Sequence, residues 1–230
     1  MKKLFQSTLL TLSITLFALP AEAQQICSII ANAKSSIIVH QEGNCDQRVT
    51  PASTFKVPLA LIGFDSGILT SPTKPTWPYK KSYPAWGGAN WKKPTDPTHW
   101  LHYSVVWYSQ VMAQKLGEAE LSAYAQRFGY GNADFSGDPG KNNGLERAWI
   151  ASSLKVSPNE QRIFLEKLIR KELQIVDHAY TELRRALPHT KIGKWDIFGK
   201  TGMAYPRLKN GQLDRAHPYG WFVGWAEYAD

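Results

Sequence analysis

Thr50-Pro51-Ala52-Ser53-Thr54-Phe55-Lys56-Val57-Pro58-Leu59-Ala60-Leu61-Ile62-Gly63-Phe64 is the stretch around which this chain of 230 residues is organised. Thr50 has the side chain of a helix N-cap, and Pro51 suits the first helical position. The apolar run behind them predicts a helix that stops near Gly67. Ser53 and Lys56 stand three positions apart, on one helix face and within reach of each other. A serine hydroxyl is inert at neutral pH until a neighbour takes its proton. Lysine serves as that neighbour if burial lowers its pKa or its amine is chemically changed. Pro58 has no N–H, so the Thr54 carbonyl loses its helical partner, and a kink or a tightened first turn is expected beside Ser53.

Ser-x-x-Lys alone is a weak signal. It recurs at Ser71–Lys74 and Ser152–Lys155, and such a pair is ordinarily a surface serine near a solvated lysine. The first recurrence lies in a Pro-rich loop and the second just before a helix cap. Only Ser53 opens an apolar helix.

The chain starts Met1-Lys2-Lys3, continues apolar from Leu9 to Leu19 and then reads Ala21-Glu22-Ala23. That pattern predicts a secretory signal over residues 1–23, cut after Ala23, and its apolar core is too short to span a bilayer. The catalytic domain expected over 24–230 would then be periplasmic, with no membrane attachment after cleavage. Net charge is +8 for the whole chain and +7 once residues 1–23 are set aside. The basic residues are scattered, which argues against a nucleic-acid partner and suits an anionic small molecule. Nine tryptophans read as core packing before carbohydrate stacking. Six histidines, His99 and His102 among them, lack metal-site spacing, so no metal is expected. Cys27 and Cys45 flank a strand hairpin, and in an oxidising compartment they either pair or remain buried thiols.

Short apolar runs at Ile26–Ile30 and Ser36–Val39 predict that hairpin. Residues 71–98 read as a long ordered loop. Helices are expected over Tyr103–Leu116, Leu121–Phe128 and Asp177–Leu187, with a surface loop over Asp134–Gly144. Ser157-Pro158-Asn159-Glu160 is a capping box that opens another helix. Trp195–Lys200 and Tyr219–Tyr228 read as an antiparallel strand pair. Strands at both ends and helices between them give an α+β fold: one antiparallel sheet from both chain ends with an inserted helical lobe.

Three short motifs follow Ser53-x-x-Lys56 in order. Ser104-Val105-Val106 precedes or starts a helix, Tyr130-Gly131-Asn132 closes one, and Lys200-Thr201-Gly202 ends a strand. A given tripeptide arises by chance about once in twenty such chains. Penicillin-binding proteins and serine β-lactamases share a Ser-x-x-Lys, a second serine motif and a Lys-Thr-Gly strand. The chain resembles the class D, oxacillin-hydrolysing type of serine β-lactamase from about Cys27 to its last residue. The resemblance also rests on Tyr103 to Ser109, Trp149 to Lys155 and Tyr219 to Trp225. Ser-x-Val and Tyr-Gly-Asn separate this class from class A.

The resemblance implies roles. Ser53 would attack a β-lactam carbonyl and become acylated. Lys56, as an N6-carboxylysine formed with carbon dioxide, would be the general base of acylation and deacylation; no other cofactor is implied. Trp149 would give its indole N–H to that carboxylate, and Val105 would wall the site. Ser104 and Lys200 would relay protons and hold the substrate's anionic side, and Thr201 would help bind the substrate carboxylate. Ser53 and Met203 would supply the oxyanion N–H groups beside Gly202. Tyr130 and Asn132 would line or frame the site. Family members normally continue past Tyr219–Tyr228 with a further strand and a closing helix, where an arginine meets the substrate carboxylate. The expectation is a domain lacking that strand and helix, with an exposed sheet edge, reduced stability and reduced activity. Neither Arg207 nor Arg215 is expected to replace that arginine. Two rival functions remain: a penicillin-binding protein or β-lactam sensor that deacylates slowly, and a non-catalytic exported binding protein. Which β-lactams fit depends on loops 71–98 and 203–216, and the sequence assigns no oligomeric state.

Overall fold

A computed structural model describes residues 24–228 of the protein; the export signal expected over 1–23 lies outside them. Strands β1, Cys27–Ala31, and β2, Ile38–Gly43, form the first hairpin, with Cys27 opposite Gly43. Cys27 and Cys45 form a disulfide whose Cα atoms are 5.2 Å apart. It closes the hairpin against Asn44, whose N–H donates to the Ile26 carbonyl. A link across so short a segment stabilises by about 3 kcal/mol.

A 3₁₀ turn over Ala52–Phe55 runs into helix α1, Lys56–Asp65. Every residue of α1 from Lys56 to Phe64 is buried, as expected for a helix apolar on all sides. A second 3₁₀ turn, Ala89–Lys92, leads to α2, Pro97–Tyr103, α3, Val106–Leu116, α4, Glu118–Phe128, and α5, Gly144–Ala151. These make the helical lobe. Helix α6, Pro158–Ile169, starts with the capping box read from sequence: the Glu160 N–H donates to Ser157 Oγ, and the Ser157 N–H donates to Glu160 Oε2. Helix α7, Asp177–Ala186, packs along α1. Strands β3, His189–Ile192, β4, Trp195–Ala204, and β5, Tyr219–Tyr228, complete an antiparallel sheet in the order β3-β4-β5.

The α+β architecture stands, with one difference. The strands of the two chain ends form separate sheets, β1-β2 and β3-β4-β5. Helix α6 packs against both β1 and β5 and joins them through side chains rather than a backbone ladder. The N-terminal hairpin is held to α6 by polar contacts: Ser36 Oγ donates to the buried Glu166 carboxylate, which also binds Arg162. Ile30, Ile38 and Val39 of the hairpin remain exposed.

Other boundaries shifted for physical reasons. Thr50 caps no helix, because its hydroxyl pairs with Tyr219 instead. The tightened first turn expected near Pro58 is real and takes the form of the 3₁₀ turn. The stretch 71–98 contains the Ala89–Lys92 turn and the start of α2. Helix α3 starts at Val106, because Ser104 adopts a left-handed conformation with φ +57°.

Candidate active site

Ser53 is the half-exposed residue in a turn whose neighbours, Ala52 and Thr54 to Lys56, are all buried. Ala52 is held at φ +51°, a left-handed conformation that costs a non-glycine residue about 1 kcal/mol. The turn is therefore forced by its surroundings. From below, Thr54 Oγ1 donates to the Pro51 carbonyl at 2.6 Å and accepts from Gln161 Nε2 of α6 at 2.9 Å. From behind, the Tyr219 hydroxyl meets the Thr50 hydroxyl and carbonyl, and Trp221 Nε1 donates to the same carbonyl at 3.1 Å. Thr50 Oγ1 also reaches the carbonyl of Ile150, next to Trp149. These contacts span the chain, and no local pattern foretold them.

Lys56 Nζ lies 3.1 Å from Ser53 Oγ. Lys56 is 1 % exposed, and that burial, reinforced by the charge of nearby Lys200, holds its pKa well below the usual lysine value. Burial thus favours the neutral form of the amine that faces the serine hydroxyl. Lys200 comes from β4, on the inward face that also carries Phe198 and Ala204. Burial lowers its pKa to about 8, so at neutral pH it is mainly a cation and a competent proton donor. Its Nζ donates to the Thr201 carbonyl at 3.1 Å.

Strand β4 meets the Ser53 turn at Gly202. A methyl group there would lie 3.0 Å from the Pro51 carbonyl oxygen and 3.1 Å from the Ser53 nitrogen. Glycine thus lets the strand pass against the Ser53 N–H and brings Met203 beside it. Thr201 and Met203 are exposed on the open side.

Trp149 of α5 is buried and stacks on Phe55 at 5.4 Å. Its indole N–H has no protein acceptor among the described residues. Val105 is fully buried at the start of α3. Ser104 sits half-exposed at the break between α2 and α3. Among the described residues its hydroxyl makes no hydrogen bond to Ser53 or Lys56.

Tyr130 and Asn132 occupy framing positions. Tyr130 is 1 % exposed and packs on Phe55 and Phe164. Its hydroxyl lies near Thr54 and Gln161 without a regular hydrogen bond, and burial raises its pKa. Asn132 ties its loop to the segment after α5, donating to the Ser153 carbonyl at 2.8 Å and accepting from the Lys155 N–H at 2.9 Å. Gly131 between them has φ +59°, and a methyl group there would lie 2.0 Å from the Lys155 carbonyl oxygen. Both side chains are thus engaged by protein.

The other two Ser-x-x-Lys pairs do not assemble. Ser71 Oγ pairs with Thr73, Ser152 Oγ donates to Asp138, and both lysines are exposed. Arg207 is committed to the Ala151 carbonyl and Asp138, and Arg215 lies over the Tyr205 ring. Among the described residues no cluster of His, Cys, Asp or Glu could hold a metal ion.

Residues 21–230 match the family of penicillin-binding protein transpeptidase domains. The chain is 42% identical over 202 residues to β-lactamase OXA-9 of Klebsiella pneumoniae, covering 87% of this chain and 74% of that one. It is 34% identical over 209 residues to β-lactamase OXA-1 of Escherichia coli, covering 88% and 71%. The crystal structure of the class D β-lactamase OXA-427 superposes with a TM-score of 0.84 at 44% identity, covering 89% of this chain and 84% of that one. The chain belongs to the class D serine β-lactamases. A more distant likeness is the C-terminal domain of the Bacillus licheniformis BlaR penicillin receptor, with a TM-score of 0.69 at 27% identity over 81% of this chain and 69% of that one. In this β-lactamase the Tyr219 hydroxyl holds Thr50, at the turn before Ser53. Tyr219→Phe removes the link to Thr50 and leaves the ring in place. The expected result is a fall in kcat of about tenfold, the effect of a small misplacement of a catalytic group, with little change in KM. Steady-state kinetics on a chromogenic cephalosporin check it, and an unchanged kcat would show the contact to be structural only.

Proposed function

We propose that this class D enzyme hydrolyses the amide bond of β-lactam antibiotics through an ester on Ser53, and so confers antibiotic resistance. The observation that carries the proposal is the Ser53–Lys56 pair, 3.1 Å apart, with the lysine amine buried and its pKa depressed. Lys56 takes the Ser53 proton as Oγ bonds to the lactam carbonyl carbon. The oxyanion meets the backbone N–H groups of Ser53 and Met203. The C–N bond breaks, the ring nitrogen receives a proton by way of Ser104 and Lys200, and the whole antibiotic stays attached as an ester. Water, deprotonated at Lys56, then cleaves the ester and regenerates Ser53. Thr201 and protonated Lys200 hold the substrate carboxylate.

The pocket around Lys56 fits a carboxylated lysine. Carbon dioxide adds only to a neutral amine, and burial supplies one. Val105 and Phe55 give apolar walls, and Trp149 offers an unshared N–H. A carboxylate on Lys56 would supply a stronger base at neutral pH. With ¹³C-bicarbonate, a carbamate carbon signal is expected in the wild-type NMR spectrum. Trp149→Ala should weaken that signal about tenfold or more at low bicarbonate, the usual loss when a hydrogen-bonded supporting residue is removed, with recovery at high bicarbonate. A signal that ignores both bicarbonate and Trp149 would remove the assignment. Export to the periplasm belongs to the same proposal; among the described residues no helix is long and apolar enough to cross a membrane.

The likeness to the BlaR receptor domain supports a second reading, acylation without release. Intact mass after addition of a penicillin, with bicarbonate present, decides between them. An adduct of full penicillin mass that decays as product accumulates is hydrolysis. A persistent adduct is receptor-like behaviour, and absence of both adduct and product refutes both.

A further inference from the structure

Between Asp65 and Asp96 the chain has five lysines, Lys74, Lys80, Lys81, Lys92 and Lys93, and no acidic residue. Thirty residues thus hold five of the eight excess positive charges. All five lysines are exposed. The lysine ion pairs among the described residues are elsewhere, at Lys171 and Lys191. The catalytic site uses none of the five.

The segment is ordered into a platform. Trp77 and Thr95 exchange two backbone hydrogen bonds of 2.9 Å and close a loop at its neck. Lys80 and Lys92 stand three residues in from the neck, one on each side, with Lys81 and Lys93 next to them. Four positive charges therefore belong to the one loop that this neck closes. The rings of the loop turn inward: Trp77 stacks on Tyr108 at 4.4 Å and Tyr83 on Trp107 at 5.0 Å. Trp91 is buried and gives its indole N–H to the Tyr103 carbonyl. Trp86 is the exception. It projects from the middle of the loop 69 % exposed, the most exposed tryptophan among the described residues.

Outward lysines around one outward tryptophan are the pattern of a peripheral membrane contact. Lysines are attracted by the surface potential of anionic headgroups, and the amphipathic indole favours the lipid–water boundary. A nucleic-acid or polysaccharide polyanion would meet the same charge, but neither requires an indole that rests on Trp91 at 5.2 Å and leaves most of its surface open. We propose that the Trp77–Thr95 loop docks the protein on an anionic lipid surface through Lys80, Lys81, Lys92, Lys93 and Trp86.

The test is co-sedimentation of the purified protein with large vesicles of phosphatidylcholine, alone or with about one third phosphatidylglycerol. The expected result is binding to the anionic vesicles only, lost at about 0.5 M salt, where screening is within a few ångströms. Lys80→Glu/Lys92→Glu should weaken the binding at least tenfold, and Trp86→Ala severalfold. The control Lys34→Glu/Lys141→Glu changes net charge equally at exposed sites outside the loop and should retain binding. All variants should keep the wild-type far-ultraviolet circular dichroism spectrum and a cooperative thermal transition, which shows that they are folded. Equal binding to neutral vesicles, equal losses in loop and control variants, or retention by heparin without retention by vesicles would each overturn the proposal.

Discussion

Ser53→Ala is expected to lower β-lactam turnover about 10⁵- to 10⁶-fold, the scale seen when a catalytic nucleophile is removed from a unit of cooperating groups. It should also abolish the covalent adduct in intact-mass spectra. The fold should tolerate the change, because Ser53 is the one half-exposed side chain in its turn and its hydroxyl meets Lys56 alone among the described residues. Stability should move by no more than about 1 kcal/mol, the net worth of one hydrogen bond. Ser71→Ala and Ser152→Ala are the matched comparisons, since each removes a serine from the same four-residue pattern. Both should acylate as the wild type does. An adduct that survives Ser53→Ala would place the nucleophile elsewhere and remove the basis for the mechanism.

Local chemistry was legible in the sequence where it is self-contained. The Ser157–Glu160 capping box needs only four consecutive residues, and it stands as read. The Ser53–Lys56 pair needs only i,i+3 spacing. The Cys27–Cys45 link was one of two readings, and the structure adopts it. What could not be read is the form of the Ser53 turn. Local propensity made Thr50 a cap and continued an α-helix through Ser53, whereas Tyr219 and Trp221, about 170 positions later, claim Thr50 and leave Ala52 left-handed. Helix α5 was missed because its Gly/Asn-rich approach reads as loop and Asn143 gives it no side-chain cap. It forms because Ala148, Trp149 and Ala151 bury against the Phe55 side of the core. Strand β3 was missed for the opposite reason. His189 to Ile192 is exposed throughout and has no alternating pattern, so its conformation is set by pairing with β4.

The same separation of local from distant causes governs the second large effect. Lys56→Met should lower turnover about 10³- to 10⁴-fold, the contribution of a general base, and at the same time stabilise the protein. Methionine has nearly the shape of the lysine stem, so packing is kept. What disappears is the penalty of burying an amine. The native pKa of Lys56 lies well below its ordinary 10.5, and that of Lys200 is about 8. Between the native and unfolded values the unfolded chain binds more protons than the folded one, so stability rises with pH across that interval. Below the native pKa both states are protonated and the full penalty remains. For Lys200 the interval runs from about 8 to 10.5; for Lys56 it starts lower. In buffer freed of carbon dioxide at pH 7, Lys56→Met should therefore gain about 1–2 kcal/mol, as other relieved functional sites do. That corresponds to a rise of about 4 °C in Tm for a domain of this size. Its stability should also climb less steeply between pH 7 and 9, with the remaining slope carried by Lys200. Thermal unfolding of both proteins across that pH range measures each part. A lower Tm in Lys56→Met would mean that the native lysine is charged and paired, and Ser53 would then need another base.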